Sequence, residues 1–113
     1  MIKIFGIPNC DTMKKARKWL DKNNLDYAFH DYKKLGVPEN NLKQWVKSAG
    51  WEAILNKRGT TWRKLSDKIK NNIDENSAIQ VMLENPSAIK RPVLEYEKKL
   101  LVGFKEEEYS SLL

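Results

Sequence analysis

The chain holds a single cysteine and a single histidine, only five glycines and four prolines, and no apolar run approaching the roughly 20 residues that span a bilayer. Each shortage excludes something. One thiol, Cys10, cannot build an internal disulfide framework or a zinc site of several thiolates, so no metal is expected, and a lone thiol fits a reducing compartment. Met1-Ile2-Lys3-Ile4-Phe5-Gly6 is too short and too soon broken to read as a signal peptide, so the expected location is cytoplasmic, with no membrane partner. Few glycines and prolines, set beside 41% hydrophobic and 32% charged residues, exclude a fibre and a disordered chain. The 113 residues suffice for one core, and residues 1–113 are expected to form one domain.

What the sequence has in excess is positive charge, with 21 Lys and Arg against 15 Asp and Glu. The excess is uneven: residues 1–23 carry six bases and two acids, and residues 57–70 carry six bases and one acid. Neither segment is a dense basic arm, and neither has the interleaved aromatics of an RNA-stacking strand. The pattern argues for a solvated basic face or an anion site and against dedicated nucleic-acid binding.

Ile2, Ile4 and Phe5 form a short apolar run stopped by Gly6 and Pro8, as in a buried strand. From Asp11, the residues Met13, Ala16 and Leu20 repeat at helical spacing until Asn23 and Asn24. Tyr27 and Phe29 alternate with polar neighbours as a second strand, which a right-handed helical crossover places parallel to the first. Residues 39–49 predict a helix stopped by Gly50; Trp62, Leu65 and Ile69 predict one shorter helix; Ala78 to Leu83 predict another between Asp74 and Pro86. Val93 to Tyr96 and Leu100 to Val102, around a charged turn, predict an antiparallel hairpin, with a last helix from Lys105. The expected class is α/β, with a helical insertion over residues 38–86. Trp19, Trp45 and Trp62 fall on apolar helical faces and are expected in the core.

Cys10 stands between a loop and the first helix, where unpaired N–H groups and the positive end of the helix dipole favour a thiolate. Lys14 and Arg17, four and seven residues on, are expected on the same face and to lower the thiol pKa further. Position 13 is methionine, so Cys10-Asp11-Thr12-Met13 cannot close its own disulfide and any resolving thiol comes from outside. His30 has no spacing that puts it beside Cys10, and its expected place is a polar position near a strand end. The segment from Asn56 to Leu65 joins cations, a turn glycine and two threonines: Arg58 could grip an anion, or Thr60 or Thr61 could simply cap a helix.

Pro8-Asn9-Cys10, Gly50-Trp51, the run Asn56-Lys57-Arg58-Gly59-Thr60-Thr61-Trp62-Arg63-Lys64-Leu65, and Ile89-Lys90-Arg91-Pro92-Val93 together resemble the arsenate reductase and Spx superfamily, most closely its YffB-like branch. The resemblance implies a thioredoxin-like fold with a mixed four-stranded sheet and a cis Pro92 close to Cys10. It implies Cys10 as nucleophile, helped by Lys14, with Asn9, Asp11, Thr12, Arg58, Arg91 and Pro92 forming an anion-binding or glutathione-binding set. It also implies glutathione as co-substrate, with no bound cofactor, and glutaredoxin as a further partner. A third arginine of arsenate reductases falls at Gly103. Losing one charge-assisted contact of about 1.5–3 kcal/mol weakens oxyanion binding roughly ten- to a hundredfold, which counts against arsenate itself. The expected function is therefore a glutathione-dependent thiol oxidoreductase working through a mixed disulfide on Cys10. The alternatives are an Spx-like regulator that binds RNA polymerase and a true arsenate reductase.

Overall fold

A computed structural model describes residues 1–113. By density of contacts the chain divides into two units, Met1–Gly36 with Arg91–Leu113, and Val37–Lys90.

The first unit is built on a sheet. Strand β1 (Ile2–Gly6) lies between β2 (Tyr27–Asp31) and β3 (Val93–Tyr96), and β4 (Lys99–Val102) completes the order β2-β1-β3-β4. β1 and β2 run parallel, with Ile4 opposite Phe29. β3 runs antiparallel to both β1 and β4, with Ile4 opposite Leu94 and Leu94 opposite Leu101. The sheet is mixed, as expected of a strand, helix, strand unit joined to a hairpin, and the topology is thioredoxin-like. Being central, β1 is buried at Ile2, Ile4, Phe5 and Gly6.

Helix α1 (Asp11–Lys22) crosses between the parallel strands and buries Met13, Ala16 and Leu20, while Lys14, Lys15 and Lys18 stay in water. Asn23 ends it, its backbone and side-chain nitrogens both donating to the Trp19 carbonyl, and Asn24 takes the left-handed conformation (φ 58°) that asparagine tolerates. The same core takes in Leu94, Tyr109 and Leu112, with Trp19 and Phe104 packed at its margin. A one-turn helix, α2 (Tyr32–Leu35), follows β2 and is capped by Asp31, whose carboxylate accepts from the Lys33 N–H at 2.9 Å.

The second unit is helical. It runs through α3 (Glu39–Ala49), α4 (Trp51–Ile54), α5 (Thr60–Lys64), α6 (Asp67–Asn71) and α7 (Glu75–Glu84) to a 3₁₀ turn at Pro86–Ala88. α3 buries Leu42, Trp45 and Val46 and stops at Gly50, whose φ of 88° suits a residue without Cβ. α7 starts from a capping box in which Asp74 and Ser77 satisfy each other's backbone N–H groups. A bridge between Leu55 and Ile89, flanked by bonds from Asn56 to Ala88 and from Lys90 to Ile54, draws the two ends of this stretch together.

The structure corrects the sequence reading in this unit twice. The single short helix expected around Trp62, Leu65 and Ile69 is two, because Ser66 caps a new start by accepting from Ile69 and leaves Ile69 40% exposed. Trp62 is not in the core: with Trp51 it brackets the Lys57 ammonium, which stands 5.5 and 5.2 Å from the two ring centroids. α8 (Glu106–Tyr109) and a final 3₁₀ turn, Ser110–Leu112, close the first unit, with Tyr109 fully buried.

Candidate functional site

Cys10 is the N-cap of α1, with extended backbone (φ −147°, ψ 128°) and its carbonyl accepting the first helical bond from Lys14 at 3.0 Å. A residue there aims its side chain at the free N–H groups of the first turn. The thiol is half-buried and makes no formal cap bond. Partial burial pushes its pKa up, and this is the largest single influence. Against it act the Met13 N–H, the hydrogen-bonding guanidinium of Arg91, the Thr12 N–H and the Arg91 charge, and together they hold the thiol below the ordinary cysteine value.

Arg91 reaches the thiol through the sheet rather than through local spacing. β1 ends in the loop that leads to Cys10, and β3 pairs antiparallel beside it, Phe5 opposite Val93. The start of β3 therefore lies at the end of the sheet where β1 finishes. The Arg91-Pro92 peptide is cis, Pro92 is buried, and its carbonyl accepts from the Gly103 N–H at 2.8 Å. Gly103 itself has φ 78° and open space where a Cβ would stand.

Of the residues expected around the thiol, Thr12 and Arg91 act on it directly, and Pro92 follows Arg91 at the start of β3. Asn9 and Asp11 flank Cys10 on the exposed surface. The assignment of tuning to Lys14 is corrected: its side chain is exposed, where water screens it, and it is not among the groups that lower the thiol. Arg17 is engaged elsewhere, its Nε donating to Tyr27 Oη at 3.2 Å and its guanidinium lying 4.6 Å from the Phe29 ring centroid. Arg58 belongs to the helical unit. Its N–H donates to Asn56 Oδ1 at 3.0 Å and its carbonyl accepts from Arg63 at 3.2 Å. The cap of α5 is Gly59, not Thr60 or Thr61, and Thr61 instead hydrogen-bonds Ser87.

Sequence reasoning missed Tyr32. It is 2% exposed at the end of β2, and burial pushes its phenol far up, opposed by the charge of Arg91 and reinforced by that of Glu95. The only advance signal was an aromatic residue directly after a predicted strand. His30 serves the same corner structurally: its ring stacks obliquely on Phe5, centroids 5.3 Å apart, and Nε2 hydrogen-bonds the Gly36 carbonyl at 2.8 Å.

An ionised sulfur at a helix start with a cation beside it can attack a disulfide or an electrophilic oxyanion and, lacking a second cysteine, ends as a mixed disulfide unless another thiol intervenes. Comparison with known proteins bears on the family and the fold. The ArsC family model matches residues 5–112. An uncharacterized protein of Haemophilus influenzae is 46% identical over 111 residues, covering 98% of this chain and 97% of its own. The solved structure of the YffB protein is 49% identical and superposes with a TM-score of 0.95, covering 98% and 97%. The global transcriptional regulator Spx of Streptococcus agalactiae is 29% identical over 115 residues, covering 100% of this chain and 83% of its own. With its single thiol, cis proline and mixed sheet, this chain belongs to the ArsC family, within the ArsC and Spx superfamily and on its YffB-like side.

Proposed function

We propose that this chain is a glutathione-dependent thiol oxidoreductase with Cys10 as its only redox atom. The Cys10 thiolate attacks the glutathione sulfur of a mixed disulfide, forming Cys10–S–S–glutathione and releasing the substrate thiolate, which takes a proton from water. A second glutathione thiolate then attacks the glutathione sulfur bound to Cys10, giving oxidised glutathione and the free Cys10 thiolate; glutaredoxin is a second reductant of the same chemistry. Arg91 stabilises the thiolate and faces an incoming carboxylate, the Thr12 N–H adds a donor, and Asn9, Asp11 and Pro92 shape the rim.

The observation that carries this reading is a half-buried thiol held low, against its own burial, by two backbone N–H groups and Arg91. It is tested by the rate of iodoacetamide alkylation against pH, followed by turnover of a glutathione mixed disulfide. An apparent pKa clearly below the free-thiol value of about 8.5, with turnover that needs Cys10, is expected. A pKa at or above that value, with no turnover, would sink the proposal.

A second reading is favoured by the likeness to Spx over the whole chain. In that case the fold is an interaction module, and RNA polymerase captured equally by wild type and Cys10→Ser, without reductase activity, would identify it.

A further inference from the structure

Along α1 lies an open groove of about 430 Å³ that Cys10 does not line. Lys15, Lys18, Lys22, Trp19, Phe104 and Glu106 line it. The lysines recur at i, i+3 and i+7, so they share one face over a rise of about 10 Å. All three are exposed, and neither the Lys43–Glu39 nor the Lys70–Asp67 ion pair involves them.

The two aromatic residues are held in fixed orientations. Trp19 and Phe104 each meet the buried Tyr109 ring edge to face, with centroids 5.6 and 4.8 Å apart. Tyr109 is fully buried, so both rings rest on a rigid base. The result is an apolar seat of fixed shape beside three lysines, with Glu106 the one acid among the lining residues.

We propose that this groove docks an acidic peptide segment of a partner protein, with one aromatic or aliphatic side chain seated against Trp19 and Phe104 and its carboxylates paired with Lys15, Lys18 and Lys22. In an extended peptide, side chains on one face recur about every 7 Å, so acids on both sides of the anchor reach successive lysines. The openness of the groove suits a segment lying across it better than a small molecule, which needs most of its surface enclosed. A nucleic acid is the poorer fit. Three lysines offer few phosphate contacts, and no arginine joins them.

The test is selection of phage-displayed random peptides on the full chain, with counter-selection on K15E/K18E/K22E, whose three positions are exposed and whose fold is checked by circular dichroism. The expected consensus is an apolar anchor flanked by Asp or Glu. A synthetic peptide of that consensus should shift the Trp19 indole and the amides of Lys15, Lys18 and Phe104 in the wild type, bind K15E/K18E/K22E roughly tenfold or more weakly, and bind Cys10→Ser unchanged. The more conservative K15Q/K18Q/K22Q should fall between. Selected peptides without acids, or shifts confined to another surface, would overturn the proposal, as would oligothymidylate binding the groove more tightly than the peptide.

Discussion

Two cation-rich approaches to helices, one in each unit, have opposite outcomes. At the start of α1 the free N–H groups of Thr12 and Met13 and the guanidinium of Arg91 converge on one atom, the Cys10 sulfur. At the start of α5 the backbone of Arg58 is engaged by Asn56 and Arg63, the cap is glycine, and the helix is five residues long. The second region has more positive charge per residue and less directed electrostatics. A reactive group is made by donors left unspent and aimed together, and a count of cations does not reveal that.

The sharpest way to break the contrast is Cys10→Ser, which should reduce mixed-disulfide turnover to background while leaving the far-ultraviolet spectrum unchanged. Next in size is Trp45→Ala, in the helical unit. Trp45 is 2% exposed, so its truncation should cost about 3–5 kcal/mol in urea unfolding, yet the pH profile of Cys10 alkylation in the folded protein should stay where it was. Arg91→Ala should raise the thiol pKa and slow alkylation at pH 7 up to about tenfold, the factor that corresponds to one pKa unit. Arg58→Ala should leave that profile unmoved, since Arg58 is not among the groups that act on the thiol.

The smallest effect is expected from Asp74→Ala at the α7 cap. The Ser77 N–H and hydroxyl hold the Asp74 carboxyl below its usual range. A carboxyl depressed in the folded state adds stability that is complete above its unfolded pKa and is lost as pH falls through the folded one. Melting temperatures of wild type and variant should therefore differ modestly at neutral pH and converge in strong acid.

The elements that sequence made legible are those with strong local signals. α1 and α3 carry apolar residues at helical spacing and end at asparagine or glycine, α7 has an acidic cap, and the hairpin has alternation around a charged turn. The short α2 and α4 have too few turns to show a period, and Ser66 divides a helix at a position where a polar residue looks merely solvated. The site divides the same way. Cys10 was visible because a helix start is a local event. Lys14 was overvalued and Tyr32 missed because the tuning cation, Arg91, is 81 positions further along and is brought near by the pairing of β3 with β1. No window along the chain contains that pairing; only the resemblance to known proteins placed Arg91 there in advance.

Position 13, where a two-thiol enzyme would keep its second sulfur, is a fully buried methionine wedged beneath Gly6, close enough that any Cβ at Gly6 would collide with it. Changing it to cysteine would empty space in the centre of the sheet-bearing unit, at a cost below the roughly 2–5 kcal/mol of a buried Met→Ala truncation. A second thiol at that position would therefore come with a packing defect beside β1, in the unit that holds Cys10.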